Sequence, residues 1–247
     1  RAVTQLTGAV ALNKAPILVR NSLVNHFSQV KGDAVAPGTM STLRGSGLAS
    51  APVAAPAAAP LPTNVNETRV LIGGVEAPLY FVSDDQVRAQ IPVELTPNRQ
   101  YQVLVSANGA LTLPDTITLT DAQPGLQTGD TGTMAVAQHA DGSPVDPSAP
   151  AARGEEISLF VVGMGLTDPP VPSGAAPADG ALAKPLVQPS ATIDGQPAEV
   201  VLATLMPGSV GLYQLRLRVP VEAGPGDLPV VVTQGSAQSN SGLLPVR

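Results

Sequence analysis

The 247-residue chain contains no cysteine and no tryptophan. Without cysteine there are no disulfides, no thiol catalysis and no cysteine-based zinc site; either redox compartment stays open. Positive charge is scarce as well. There are three lysines, Lys14, Lys31 and Lys184, and the net charge is −6. A phosphate backbone needs clustered cations, so a nucleic-acid partner is excluded. No run of about 18 apolar residues occurs, so no helix spans a membrane. No P-loop, dinucleotide fingerprint or G-x-S-x-G elbow is present. The sequence therefore assigns no catalytic residue and no cofactor.

What is abundant is punctuation. The 24 Gly and 26 Pro make up about a fifth of the chain, against roughly 12% in average usage. Such a chain is cut into short strands and turns rather than long helices. Hydrophobic residues reach 43%, enough for a sizeable core, and are mostly Val, Leu and Ala. The first residue is Arg1 rather than Met, which fits a processed or excised product.

Two halves echo one another in four ordered places. "PGTMSTLRGSGLA" (37–49) matches "RGEEISLFVVGMGLT" (153–167), with Gly38 and Gly154 standing 116 positions apart. "VLIGGVEAPLYF" (70–81) matches "ATIDGQPAEVVL" (191–202). Gln86, Arg88 and Pro92 correspond to Gln214, Arg216 and Pro220. "YQVLVSANG" (101–109) matches "LPVVVTQG" (228–235). Period-two alternation identifies strands. Val87, Ala89, Ile91 and Val93 face inward, as do Tyr213, Leu215, Leu217, Val219 and Val221. Gln86, Arg88, Gln90, Gln214, Arg216 and Arg218 form the opposite, solvated face. Pro92 and Pro220 mark an edge or a strand exit. The fold class is all-β: two tandem immunoglobulin-like β-sandwiches preceded by an extended N-terminal arm. The divisions are an arm over 1–20, one sandwich over 21–122 and a second over 123–247. The second opens with a hairpin at 133–146 around Asp141-Gly142. The stretches 49–62 and 168–185 read as equivalent extended loops. From Ile193 to Gln214 the second copy is seven residues longer than from Ile72 to Gln86. The extra residues fall in "TLMPGSVG" (204–211), the place to look for a contact that only the second half makes.

These motifs carry a family resemblance. "DGSPVDPSAPAARGEEISLFVVGMGLTDPP", "ATIDGQPAEVVLATLMPGSVGLYQLRLRVP" and "GDLPVVVTQGSAQSN" resemble the uncharacterised Solibacter-type C-terminal domain family of secreted acidobacterial proteins. "NHFSQVKGDAVAPGTMSTLRGSGLA" and "PLPTNVNETRVLIGGVEAPLYFVSDDQVRAQIPVEL" are similar to its upstream part. Each half also resembles an IPT/TIG-type immunoglobulin-like domain. The resemblance implies secreted or cell-surface placement in a bacterium and offers no catalytic residue to carry over.

Candidate site residues are few. His26 and His139 read as loop histidines. Asp84-Asp85 and Glu155-Glu156 read as solvated strand ends, since neighbours in a strand point to opposite faces. "GSG" (45–47) reads as a tight turn. Asp141 and Asp146 could offer oxygen ligands to calcium, although the spacing lacks an EF-hand series; a plain Asx turn is the competing reading. Asn66-Glu67-Thr68 is an N-x-T sequon, expected to stay unmodified. In the arm, Val3, Leu6, Val10 and Leu12 outline an imperfect strand. It either packs on its own domain or adds to a neighbouring copy's sheet edge. The leading functional expectation is a non-enzymatic extracellular structural protein, a self-assembling filament subunit joined by that arm. Its partner is then another copy or another surface protein. The alternative is an adhesion or polysaccharide-binding module, with a glycan as partner.

Overall fold

The computed structural model describes residues 15–32, 34–56 and 59–247. Val3, Leu6, Val10 and Leu12 therefore lie outside the described residues. The first half contains β1 Ile17–Leu18, β2 Val24–Asn25, β3 Met40–Ser46, β4 Val53–Ala54, β5 Thr68–Ile72 and β6 Val75–Glu76. It continues with β7 Leu79–Val82, β8 Gln86–Gln90, β9 Arg99–Ala107, β10 Ala110–Leu111 and β11 Asp115–Leu119. The second half contains β12 Gly125–Leu126, β13 Ala137–Gln138, β14 Glu156–Val162, β15 Thr167–Asp168, β16 Lys184–Pro185 and β17 Pro189–Ile193. It ends with β18 Gln196–Leu205, β19 Leu212–Arg218, β20 Gly226–Gln234, β21 Ala237–Gln238 and β22 Gly242–Val246.

In the first half one sheet runs β1-β3-β8-β7-β4, with β2 also on β3. The other runs β10-β9-β5-β6, with β11 also on β9. In the second half β12-β14-β19-β18-β17-β20-β21 forms one path, with β13 on β14 and β22 on β20. The pairings repeat strand for strand. Met40 faces Gln90 as Glu156 faces Arg218, and Thr68 faces Ala107 as Pro189 faces Gln234. Asp115 faces Val103 as Gly242 faces Val230. Even the irregularity recurs: the ladder skips Tyr80 between Leu79 and Phe81, and Val201 between Val200 and Leu202. A difference in layering has a local cause. At Pro78 the first copy has no N–H to donate, so β6 and β7 are separate; Glu199 stands there in the second copy, and β18 runs unbroken.

Each half has its own core. Leu43, Ile72, Leu79, Val87, Ile91 and Leu119 belong to one, and Ile157, Leu159, Ile193, Leu215, Leu217 and Leu244 to the other. All are buried, and each such side chain contributes roughly 1.5–3 kcal/mol by leaving water. The alternation holds through Ile91 and Val219. It ends there: Val93 is half-buried and Val221 is 66% exposed. Pro92 and Pro220 follow central strands, so they are strand exits and not edges. Gly45 is not in a turn. It lies within β3, where a Cβ would run into the Ile17 carbonyl of β1 and Leu48. The 49–62 and 168–185 stretches are not wholly loop either, because β4 pairs with β7 and β15 with β16.

Candidate functional site

Two places gather polar side chains: the junction between the halves and the outer face of the second half.

The junction is built on the outward side of β7 and β8. The skipped residue, Tyr80, is turned out of the ladder, as bulges turn side chains. Its hydroxyl donates to the Val210 carbonyl at 3.0 Å. Val210 lies in the seven-residue extension, so this is the contact that the second copy alone makes. Gly211 follows with φ +67; a Cβ there would sit 2.6 Å from the Gly38 carbonyl oxygen. From the other side the 168–185 loop reaches across. Ser173 donates its hydroxyl to Glu94 at 2.7 Å and accepts from the Val93 N–H at 2.9 Å. The Gly174 N–H donates to Gln90 Oε1 at 2.7 Å, and the Gly174 carbonyl accepts from the Leu61 N–H at 2.9 Å. Gln90 is 3% exposed, so the expectation that it belongs to a solvated face is corrected. The second half packs over it. Its counterpart Arg218 is exposed and pairs with Glu156 and Glu199 at 2.7 and 3.6 Å. Beside the junction lies an apolar cavity of about 360 Å3, with Val93, Leu166, Val171, Leu205 and Tyr213 in its lining. The connecting segment is held from both sides: Asn25 donates to the Gln123 carbonyl at 3.0 Å, and the Gln123 N–H donates to Gly163.

The outer sheet faces of the two copies differ. In the first, His26 lies over the sheet. His26 Nδ1 and the Thr42 hydroxyl are 2.8 Å apart, and the Arg88 guanidinium stands 5.4 Å from the Phe81 ring centroid. Burial, and then the Arg88 and Arg44 charges, lower the His26 pKa to about 4. His26 is thus more than the loop histidine expected. Arg88 and Arg216 are half-buried rather than solvated, and Nε of each is buried without a hydrogen-bond partner.

In the second copy the Asp141-Gly142 turn stands beside the sheet. It is closed by the Gly142 N–H to His139 and the His139 N–H to Ser143. The structure brings His139 and Glu155 together, Nδ1 to Oε1, at 2.5 Å. The hydrogen bond to Glu155 raises the His139 pKa. Burial works to raise that of Glu155, but the hydrogen bonds from His139 and the Ala152 N–H outweigh it and hold the carboxyl low. The two residues were expected to be separate solvated groups. Nothing in their spacing pointed to the pair, because the hairpin alone returns one to the other. A concavity of about 410 Å3 opens here, with Gln138, His139, Ser158, Leu202, Gln214 and Arg216 in its lining.

Asp141 and Asp146 spend Oδ1 on local turns. Asp141 accepts from the Ser143 N–H and hydroxyl, and Asp146 from the Ser148 N–H and hydroxyl and the Ala149 N–H. Those hydrogen bonds lower both carboxyl pKa values. No group of three or more His, Asp or Glu suited to a metal occurs among the described residues. Asp84 accepts from the Gly47 N–H just beyond β3, and Asp85 accepts from the Ser83 hydroxyl within its own turn. In the sequon, Asn66 donates to Ser50 and Ala51, and Thr68 is fully buried with its hydroxyl on the Leu48 carbonyl.

Comparison with solved structures brings out immunoglobulin-like and surface proteins. SGBP-B of a Bacteroides ovatus mixed-linkage glucan utilization locus, in complex with a mixed-linkage heptasaccharide, is 15% identical with a TM-score of 0.36, over 87% of this chain and 43% of that one. SGBP-B from a complex xyloglucan utilization locus in Bacteroides uniformis is 13% identical with a TM-score of 0.29, over 94% and 50%. The I9–I11 tandem of titin is 11% identical with a TM-score of 0.24, over 94% and 65%. The chain thus spans half or less of the two Bacteroides proteins. No curated protein matches it. The IPT/TIG domain model matches the first half, and the pairing order there is the one that the second half repeats. Residues 26–120 are an IPT/TIG domain with an immunoglobulin-like β-sandwich fold.

Proposed function

We propose that the chain is a non-enzymatic structural module of a bacterial cell surface or secreted product. It self-associates by laying its N-terminal arm, residues 1–16, along the sheet of a neighbouring copy. The junction carries this reading. Domains joined by a plain linker move independently. Here Tyr80, Gln90 and Glu94 of one half are each hydrogen-bonded to the other. Such a clamp passes orientation from one half to the next, which a stalk or polymer needs.

Next to the first described residues lies apolar surface that strand addition would cover. Ile17, Val19, Leu111 and Leu113 are exposed, and Ile17 and Leu113 share one depression. Backbone hydrogen bonds would supply affinity and side chains the register. A head-to-tail contact that does not close into a ring makes a filament. The sequence resemblance to secreted acidobacterial domains supports placement outside the cell. The division into an arm (1–20) and sandwiches at 21–122 and 123–247 belongs to the same proposal. Electron microscopy of the intact chain and of a form lacking residues 1–16 tests it. Filaments are expected from the first and dispersed particles from the second. Equal assembly by both, or none by the intact chain, refutes it.

A second reading, a polysaccharide-binding accessory module, is favoured by the polar concavity beside Arg216. It does without a stacking platform: Phe160 and Tyr213 are buried, and the other four aromatic residues are half-buried. A glycan array probed with the intact chain tests it, and the absence of any hit removes it.

A further inference from the structure

The duplication allows one copy to be read against the other. Arg88 and Arg216 occupy the same register position: Arg88 faces Thr42 and Phe81, and Arg216 faces Ser158 and Leu202. In the first copy the guanidinium lies over the Phe81 ring, and His26 on Thr42 lies over the same face. In the second copy Leu202 has no π-face to offer. The hairpin stands aside, and a concavity of about 410 Å3 takes the place of the cover. Arg216 takes part in none of the ion pairs among the described residues, and its Nε is buried without a partner. Glu156, on the same rim, is already held by Arg218 at 2.7 Å. An arginine left this way is a donor fork without an acceptor, and a carboxylate matches it in charge and geometry.

We infer that the Arg216 concavity binds the carboxylate of an acidic sugar, with Ser158, Gln138 and Gln214 turned to the sugar hydroxyls. This rests on the glycan-binding reading and deepens it. A peptide carboxylate fits less well. The floor under Arg216 is the outer face of β14 and β19, interior strands paired on both sides, with Leu202 of β18 beside them, so a peptide lying over Arg216 finds no edge to extend. The polar lining is the Gln138 and Gln214 amides, the Ser158 hydroxyl, the Arg216 guanidinium, the His139 imidazole and the Glu156 carboxylate. The last two are already paired with Glu155 and Arg218, which leaves amides, a hydroxyl and a guanidinium, the groups that meet sugar hydroxyls and a uronate. Gln214 Nε2 already donates to the Ser158 hydroxyl at 3.0 Å, which leaves its carbonyl oxygen to accept.

The test titrates trigalacturonate, neutral galactotriose and triglutamate into the intact chain, followed by amide NMR shifts and calorimetry. Trigalacturonate is expected to shift Ser158, Gln214 and Arg216. Arg216→Met is expected to weaken it about tenfold or more at unchanged melting temperature, Arg216→Lys to recover part of that loss, and Arg88→Met to leave binding intact. Galactotriose binding as tightly at this face overturns the acidic-sugar inference while glycan binding stands. No saccharide binding overturns both. Triglutamate binding as tightly as trigalacturonate also overturns the inference, as does Arg216→Met without effect.

Discussion

Gln90→Leu isolates the junction. The substitution keeps the approximate volume of a side chain that is 3% exposed, and it removes both the donor and the acceptor of the amide. Gly174, itself buried, then loses the acceptor of its N–H at 2.7 Å, and the Gly38 carbonyl loses a weaker donor at 3.4 Å. An orphaned buried N–H costs about 1–3 kcal/mol. The new apolar side chain offsets part of this, so a net loss of about 1–2 kcal/mol is expected. In a half of this size that is a fall of roughly 4–9 °C in melting temperature. The bond crosses between halves, so the loss should also separate them. Calorimetry should resolve two unfolding transitions where the parent shows closer coupling. Hydrogen exchange at Leu61, whose N–H donates to the Gly174 carbonyl, should accelerate. The internal control is Arg218→Leu, the same register position in the second copy. It breaks solvent-exposed ion pairs only and should change stability little. If the two variants behave alike, the junction does not hold the halves and the argument fails.

Two more outcomes follow from particular residues. Gly211→Ala places a methyl 2.6 Å from the Gly38 carbonyl at a left-handed φ of +67. The backbone alone costs roughly 1–2 kcal/mol, and the clash adds to it, so urea unfolding should show a loss above 2 kcal/mol, whereas a loss below about 0.5 would refute the close approach. For His26 the folded pKa is held down at about 4 against an ordinary 6.5. The unfolded chain therefore binds the proton first as pH falls, and this share of stability is complete above 6.5 and lost on acidification toward 4. His26→Gln should flatten the melting temperature against pH across that window; an unchanged slope would place the acid sensitivity elsewhere.

Much of the fold could be read in the sequence, because strand alternation and glycine turns are local. The period of two selects the inward residues Val87, Ala89, Ile91, Tyr213, Leu215, Leu217 and Val219, and all are buried. The echo of Gln86, Arg88 and Pro92 in Gln214, Arg216 and Pro220 gives strands of one register. The seven-residue surplus marks the loop that makes the Val210 contact. Alternation says which face a side chain takes. It says nothing of what lies over the outer face. Gln90 and Arg218 have the same strand, phase and pairing partner position, yet one is sealed under a neighbouring domain and the other meets water. His139 and Glu155 become partners only when the hairpin folds back. Arg88 lies over an aromatic ring and Arg216 has none, because Leu202 stands where the first copy has Phe81. Strand composition settled the sandwiches; the order in which their outer faces are covered, a matter of long-range packing, decided where the chain has groups left to bind with.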